Sequence, residues 1–89
     1  MPRARSVNDD AVRFGALINR LRTARAWTLE DLARFSGMNA TYLGVLERGA
    51  NMPGLGTIFR LADVFGVNAA DLVAEVEQAR RQARATRVG

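Results

Sequence analysis

The segment from Thr28 to Gly49 constrains the fold most, because it predicts two helices that are too short to be stable alone. Thr28 is a favourable N-cap residue, and Asp31 three positions later completes a capping-box pair. Gly37 ends the first helix, since glycine takes the left-handed conformation without steric penalty. Asn39 caps a second helix, which Gly49 ends in the same way. Isolated helices below about 12 to 15 residues are marginal in water, so the rest of the chain must supply a scaffold.

The spacing inside this segment is typical of a helix-turn-helix. Such a motif needs a small residue where the helices cross, a glycine at the turn four positions later, and apolar residues on the inner face of the second helix. Those positions hold Ala33, Gly37, Leu43 and Leu46. The segment therefore predicts a pair of packed helices with one face free for binding.

On these residues, the chain resembles the phage-repressor and Cro family, also called the xenobiotic-response-element family. The resemblance extends from about Phe14 to Leu72, through R-L-R at 20–22, L-E-R-G at 46–49, Pro53 and L-A-D-V-F-G-V at 61–67. It implies an all-α fold: a compact five-helix, lambda-repressor-like DNA-binding domain with an extended C-terminal helix. The run T-Y-L-G-V-L-E-R-G is also similar, more weakly, to restriction-modification controller proteins, which usually carry an arginine where this chain has Ala40.

Apolar periodicity and helix-ending residues predict the organisation of the whole chain. The predicted helices cover about 8–25, 29–36, 40–48, 55–65 and 69–84. Residues 1–7 are predicted to form a basic arm, 8–76 the domain, and 77–89 a basic helical extension and tail.

Composition excludes most enzyme chemistry. The 89 residues, 48% of them hydrophobic, suffice for one small domain. There is no cysteine and no histidine, which removes disulfides, the usual zinc sites and the most frequent catalytic bases. We therefore expect no enzyme activity, metal, cofactor or small-molecule effector domain. No apolar run approaches 18 residues and the N-terminus lacks a signal-like apolar segment, so we expect a cytoplasmic protein without a membrane span.

Charge is distributed unevenly along the chain. All thirteen basic residues are arginine and the net charge is +4, but six arginines lie at the two ends. The remaining seven face nine acidic residues, so the body carries −2. Attraction to DNA must therefore come from local arginines or from the ends. Arg3 and Arg5 are candidates for an arm that enters a minor groove, as homeodomain arms do; a frayed terminus is the alternative.

The family resemblance also implies which residues contact DNA. The base-facing candidates are Asn39, Ala40, Thr41, Gly44 and Val45. The phosphate-facing candidates are Thr28, Leu29, Tyr42, Arg48 and Asn51.

This chain departs from its relatives on that surface. Leu29 replaces a frequent glutamine, and Ala40, Gly44 and Val45 stand where relatives commonly carry polar residues. A bidentate base contact discriminates by about 1 to 3 kcal/mol, and the middle of this helix offers no arginine or glutamine to make one. The sequence therefore predicts modest specificity from apolar and shape recognition, with two half-sites roughly 34 Å apart supplying the rest.

Two further sets of residues have structural candidates. The resemblance implies an ion pair between Arg22 and Glu47; the alternative is that both are solvated surface charges. On the C-terminal helix, an apolar stripe is a candidate seam for a second copy, with an exposed, fraying tail as the alternative. The seam candidates are Leu72, Val76, Ala79 and Ala83.

Two functions remain open at this point. The first is a homodimeric, sequence-specific transcriptional regulator, a repressor or controller, that binds double-stranded DNA through the major groove. The second is a helix-turn-helix module that binds protein, as an antitoxin, antirepressor or adaptor. The apolar surface formed by Leu29, Ala40 and Val45 supports the second.

Overall fold

A computed structural model describes residues 5–88, and side chains from residue 9 to residue 86. This part of the chain consists of five helices without strands, as the family resemblance predicts. They are α1 (Arg5–Ala24), α2 (Leu29–Ser36), α3 (Ala40–Glu47), α4 (Leu55–Phe65) and α5 (Ala69–Val88). None of these helices has an apolar stretch long enough to span a bilayer.

The caps of α2 and α3 form as the sequence predicts. The N–H of Asp31 donates to Thr28 Oγ1 at 3.0 Å, and the N–H of Thr28 donates to Asp31 Oδ2 at 2.9 Å. Gly37 ends α2 with φ 73°, a left-handed conformation that a side chain would strain. Asn39 Oδ1 accepts from the N–H groups of Thr41 and Tyr42 at 2.8 and 3.2 Å. The caps thus satisfy one N–H group at the start of α2 and two at the start of α3.

One hydrophobic core holds all five helices together. Its fully buried side chains lie at the centre of α1, α2, α3 and α4: Ile18, Leu32, Leu43, Leu46 and Leu61. Trp27, in the turn after α1, stacks on Phe65 with ring centroids 5.9 Å apart. The core thus supplies the scaffold that α2 and α3 require.

Helices α1 and α5 run antiparallel along one side of the domain. Arg20 Nη2 lies 3.2 Å from Glu75 Oε1, and Asp10 Oδ1 lies 3.2 Å from Arg80 Nε, so a lower number on α1 meets a higher number on α5. Both helices exceed their predicted bounds. Helix α1 begins at Arg5 rather than at residue 8, since no proline or glycine lies between residues 5 and 8 to stop it. The predicted arm over 1–7 therefore overlaps α1.

Helix α5 continues to Val88, beyond the predicted end at residue 84, since its C-terminal half contains no glycine or proline before Gly89. The predicted seam on this helix is turned inward. Leu72 is only 2% exposed and belongs to the core. Val76 and Ala79 line a groove between α5 and α1 together with Leu17, and Ala83 is half-buried. The fold of one copy already buries Leu72, so a role for it in a dimer seam stays a prediction that this burial does not favour.

Candidate nucleic-acid interface

The position of α3 is fixed first by a bidentate ion pair with α1. Arg22 donates from Nε to Glu47 Oε2 at 2.7 Å and from Nη2 to Glu47 Oε1 at 3.0 Å. The third nitrogen, Nη1, donates to the carbonyl oxygen of Trp27 at 2.7 Å, and Asn19 donates to Glu47 Oε1 at 3.0 Å. The side chains of Arg22 and Glu47 are 14% and 7% exposed. These contacts tie the end of α3 to α1 and to the turn before α2.

The same ion pair favours the charged form of Arg22. The hydrogen bond to Glu47 raises the pKa of the Arg22 guanidinium further above its ordinary value, against the opposing effect of burial. The charge of Arg22 is therefore constant across the physiological pH range.

A close backbone contact fixes α3 a second time. Gly15 on α1 lies directly beneath the last turn of α3, where a Cβ would stand 2.6 Å from the carbonyl oxygen of Glu47. Real Cβ atoms do not approach oxygen that closely, so only glycine permits this packing. The end of α3 consequently rests on the backbone of α1.

The surface of α3 that faces away from the core combines polar and apolar groups. Thr41 and Arg48 are exposed, whereas Ala40 and Val45 are half-buried. Asn51, in the loop that follows, is also exposed. These five of the predicted DNA-contacting residues lie on α3 or within three residues of its C-cap, which makes α3 the centre of the candidate interface.

Gly44 differs from the other predicted base-facing residues, because it is buried. A Cβ at Gly44 would meet Arg48 Nη1 at 3.4 Å and Leu29 Cδ1 at 3.6 Å. The guanidinium of Arg48 and the side chain of Leu29 therefore cover Gly44, and its backbone is not itself the outer surface.

Three further predicted residues have contacts within the domain. Thr28 and Asn39 use their side-chain oxygens as the caps of α2 and α3. Tyr42 packs against the core, and its hydroxyl lies 3.3 Å from Thr57 Oγ1 on α4. That contact connects α3 to the beginning of α4.

A cleft between α3 and α4 contains an arginine that was not among the sequence candidates. Its lining includes Asn39, Tyr42, Thr57 and Arg60, and Arg60 is exposed. Arg60 follows Thr57 by three positions, which places both on one side of α4. This spacing could have identified Arg60 from the sequence, had Tyr42 been known to contact Thr57.

The ion pairs of the domain explain how an acidic body can carry a locally basic face. Within residues 9–86, carboxylates pair with Arg13, Arg20, Arg22, Arg34, Arg80 and Arg81. Arg25 donates instead to the carbonyl oxygens of Leu21 and Phe65. Arg48 and Arg60 form no ion pair in this part of the chain, and both flank α3. Although the body has a net charge of −2, two arginines beside α3 therefore keep their guanidinium donors free of carboxylates.

The proposed minor-groove arm is not tested by these contacts. Arg3 lies outside the described residues. Arg5 is the first residue of α1, and its side chain also lies outside the described part.

A five-helix, all-α domain whose second and third helices meet at a glycine turn, with one side of the third helix facing away from the core, defines the lambda-repressor-like class of helix-turn-helix domains. The family of proteins described as "Helix-turn-helix domain" matches residues 13–76 of this chain. The chain belongs to this family.

Individual relatives agree with this assignment. An HTH-type transcriptional regulator of Sinorhizobium fredii is 34% identical over 64 residues, which cover 72% of this chain and 83% of the relative. The restriction-modification controller protein C.AhdI from Aeromonas hydrophila is similar in structure, with a TM-score of 0.67 and 36% identity over 71% of this chain and 96% of that one. The predicted likeness to phage-repressor-type regulators, and to controller proteins, is confirmed.

Other relatives are much longer than the match. An uncharacterized HTH-type transcriptional regulator of Mycobacterium tuberculosis is 40% identical over 53 residues, which cover 60% of this chain. The matched segment spans only 21% of that relative. The similarity to this relative is therefore limited to the helix-turn-helix domain and does not extend to the whole regulator.

Proposed function

We propose that this protein is a transcriptional regulator that binds double-stranded DNA as a homodimer, with α3 in the major groove of each half-site. One observation carries the proposal: Arg48 and Arg60, the body arginines that have neither an ion pair nor a backbone acceptor for their guanidinium in the described residues, both flank α3. Unpaired arginines at one face are what DNA binding requires of a body with net negative charge. The action of such a regulator on DNA also implies a cytoplasmic location.

The elements around α3 support a division of roles. Thr41 and Val45 are on the outer side of α3, where a hydroxyl and methyl groups can contact base edges and thymine methyls. The N-terminal amides of α2 are suited to a phosphate, since a helix N-terminus favours anions. Asn51 and Arg60 flank α3 and extend the phosphate-contacting surface. The family and the named relatives, all regulators, support this reading over an enzyme.

A salt titration tests DNA binding. We expect purified protein to bind DNA from upstream of its own gene, with log affinity falling linearly as log salt rises. The double variant Thr41→Ala, Arg48→Ala should lose binding, while Arg60→Ala should weaken binding to all sequences and lower the salt slope by about 1. Arg20→Ala is the matched control, because Arg20 lies in the groove between α1 and α5 and should leave the slope unchanged. No binding at micromolar protein would reject the proposal in favour of a protein-binding module.

The homodimer has a candidate surface on α4 and α5 that differs from the predicted seam. Leu55 and Phe59, one turn apart on α4, are 64% and 52% exposed, and Val73 on α5 is 50% exposed. Exposed apolar side chains on two packed helices are typical of an interface. Because Tyr42 links α3 to α4, a contact through α4 would also hold the two α3 helices at a fixed separation.

Sedimentation equilibrium tests this surface. We expect the unaltered protein to be dimeric and Phe59→Ser to shift it toward monomer. Phe35→Ser is the matched control and should remain dimeric. Phe35 is also 50% exposed, but it lies on α2 against Trp27, with ring centroids 4.8 Å apart. A dimer that persists in Phe59→Ser and Leu55→Ser variants would place the interface elsewhere.

A further inference from the structure

The guanidinium of Arg48 is at the level of Gly44, one turn before the Cα atom of Arg48 itself. Its Nη1 lies 3.4 Å from the point where a Cβ of residue 44 would be. The backbone N–H of Arg48 donates to the carbonyl oxygen of Gly44 at 3.1 Å, which fixes the start of the side chain. Arg48 therefore returns along the outer side of α3, and its guanidinium occupies the space that a side chain longer than alanine at position 44 would take.

The surroundings favour this path. Leu29 of α2 borders the same space, with Cδ1 3.6 Å from the Cβ position of residue 44. This methyl group offers the guanidinium no hydrogen-bond acceptor. No carboxylate in the described residues pairs with Arg48, so the donors of its guanidinium are free to meet a ligand.

We propose that Arg48 is a base-contacting residue that donates two hydrogen bonds to guanine O6 and N7 in each half-site, and that Gly44 is the positioning residue that makes room for it. The inference rests on the proposed DNA-binding function. Positions 41, 44, 45 and 48 share one side of α3, so a guanidinium at the level of residue 44 lies among the predicted base-facing residues. The planar fork of arginine matches the two acceptors of guanine in the major groove.

This arrangement supplies the polar contact that Ala40, Gly44 and Val45 do not offer. Arg48 could serve either of two roles, a contact with phosphate or a contact with guanine. A phosphate contact adds affinity on every sequence, whereas a guanine contact adds affinity only where guanine is present. Specificity, and not affinity alone, is therefore the quantity to measure.

The experiment compares affinities on a site selected from random DNA and on copies in which each G·C pair is replaced by A·T. For the unaltered protein we expect one pair per half-site at which replacement weakens binding by about 5- to 150-fold, the range of one bidentate contact. In Arg48→Ala this discrimination should fall to about 1-fold at that pair alone, with other positions unchanged.

Two variants at position 44 form a matched pair, and both retain the arginine charge. Gly44→Ala should keep the discrimination, because a Cβ there is in ordinary contact with its neighbours. Gly44→Leu should lose it, because a larger side chain occupies the place of the guanidinium, while binding to non-specific DNA and its salt slope stay unchanged. Urea unfolding of each variant verifies that the domain is folded.

The outcomes separate this inference from the proposed function. Equal loss of affinity on all sequences in Arg48→Ala would assign Arg48 to phosphate and overturn the inference, with DNA binding intact. Guanine discrimination that survives in Gly44→Leu would overturn the positioning role of Gly44. If the unaltered, folded protein binds no DNA, the proposed function itself fails.

Discussion

Gly15 of α1 and Glu47 of α3 are in contact through their backbones, close enough that a Cβ at position 15 would stand 2.6 Å from the Glu47 carbonyl oxygen. The neighbouring carbonyl of Leu46 is closer still to that point. Both obstacles are backbone atoms of α3, so a side chain at position 15 can be accommodated only if α3 moves. The candidate DNA-binding helix is thus positioned by the absence of one methyl group.

Gly15→Ala should therefore destabilise the domain, although alanine is the better helix former. Overpacking lowers the free energy of unfolding by about 1 to 3 kcal/mol. Replacing a helix-interior glycine by alanine raises it by about 1 kcal/mol. Because the overlap is severe, we expect a net loss of about 1 to 2 kcal/mol, which lowers the melting temperature by roughly 4 to 16 °C in a domain of this size. Thermal unfolding followed by circular dichroism measures it.

The control for this prediction is the same substitution in open space. A Cβ at Gly56 on α4 has nothing within 4 Å, so Gly56→Ala should be neutral or stabilising by up to about 1 kcal/mol. A stabilised Gly15→Ala variant would show that α3 does not rest on α1 as described.

The ion pair between Arg22 and Glu47 predicts a larger effect when one partner is removed. Glu47→Ala leaves the guanidinium of Arg22 without its carboxylate in a site where its side chain is 14% exposed. Breaking a buried pair in this way costs about 3 to 5 kcal/mol. We expect a loss near 3 kcal/mol by urea unfolding, since Arg22 keeps its hydrogen bond to the carbonyl oxygen of Trp27.

The exposed pair between Arg20 and Glu75 is the comparison. Their side chains are 63% and 59% exposed, so Glu75→Ala should cost less than about 1 kcal/mol. Equal losses in Glu47→Ala and Glu75→Ala would mean that the first pair is solvated and does not hold α3.

The capping box of α2 predicts a pH dependence. The hydrogen bond from the backbone of Thr28, followed by that from Arg34, holds the pKa of Asp31 below its ordinary value of 3.8. A depressed carboxylate pKa stabilises the folded state above the pKa of the unfolded chain, and this contribution disappears as pH falls through the folded pKa. The stability difference between the unaltered protein and Asp31→Asn should therefore be constant near pH 7 and diminish below about pH 4. Urea unfolding at pH 7 and below pH 3 tests this, and a difference that grows in acid contradicts it.

Local features made much of the fold predictable from the sequence. The caps at Thr28 and Asn39 and the glycine turn at Gly37 depend on neighbouring residues, and α2 occupies the predicted range 29–36. The helix-turn-helix followed from the spacing of apolar and small residues, and the family match confirms it. The start of α1 was predicted less well, since the helix begins at Arg5, three residues before the predicted start at residue 8.

The chemistry of the site was less predictable, because it depends on contacts between residues that lie on different helices or one turn apart. Gly44 resembled an open position on the outer side of α3, but a long side chain from one turn away covers it. Arg60 received no role because its proximity to α3 depends on the contact between Tyr42 and Thr57. Side-chain paths and contacts between helices depend on three-dimensional packing, which residue spacing along one helix does not specify.

The last prediction concerns Leu72, which was a seam candidate but lies in the core of a single copy. Leu72→Ala removes a side chain that is 2% exposed, and such truncations cost about 2 to 5 kcal/mol. Val73→Ala, at a neighbouring position that is 50% exposed, should change the stability of an isolated copy by less than about 0.5 kcal/mol. Thermal unfolding at several protein concentrations distinguishes the two roles, because loss of a dimer contact depends on concentration whereas loss of core packing does not. A Leu72→Ala defect that vanishes at high protein concentration would return Leu72 to the interface; we expect the defect to persist at every concentration.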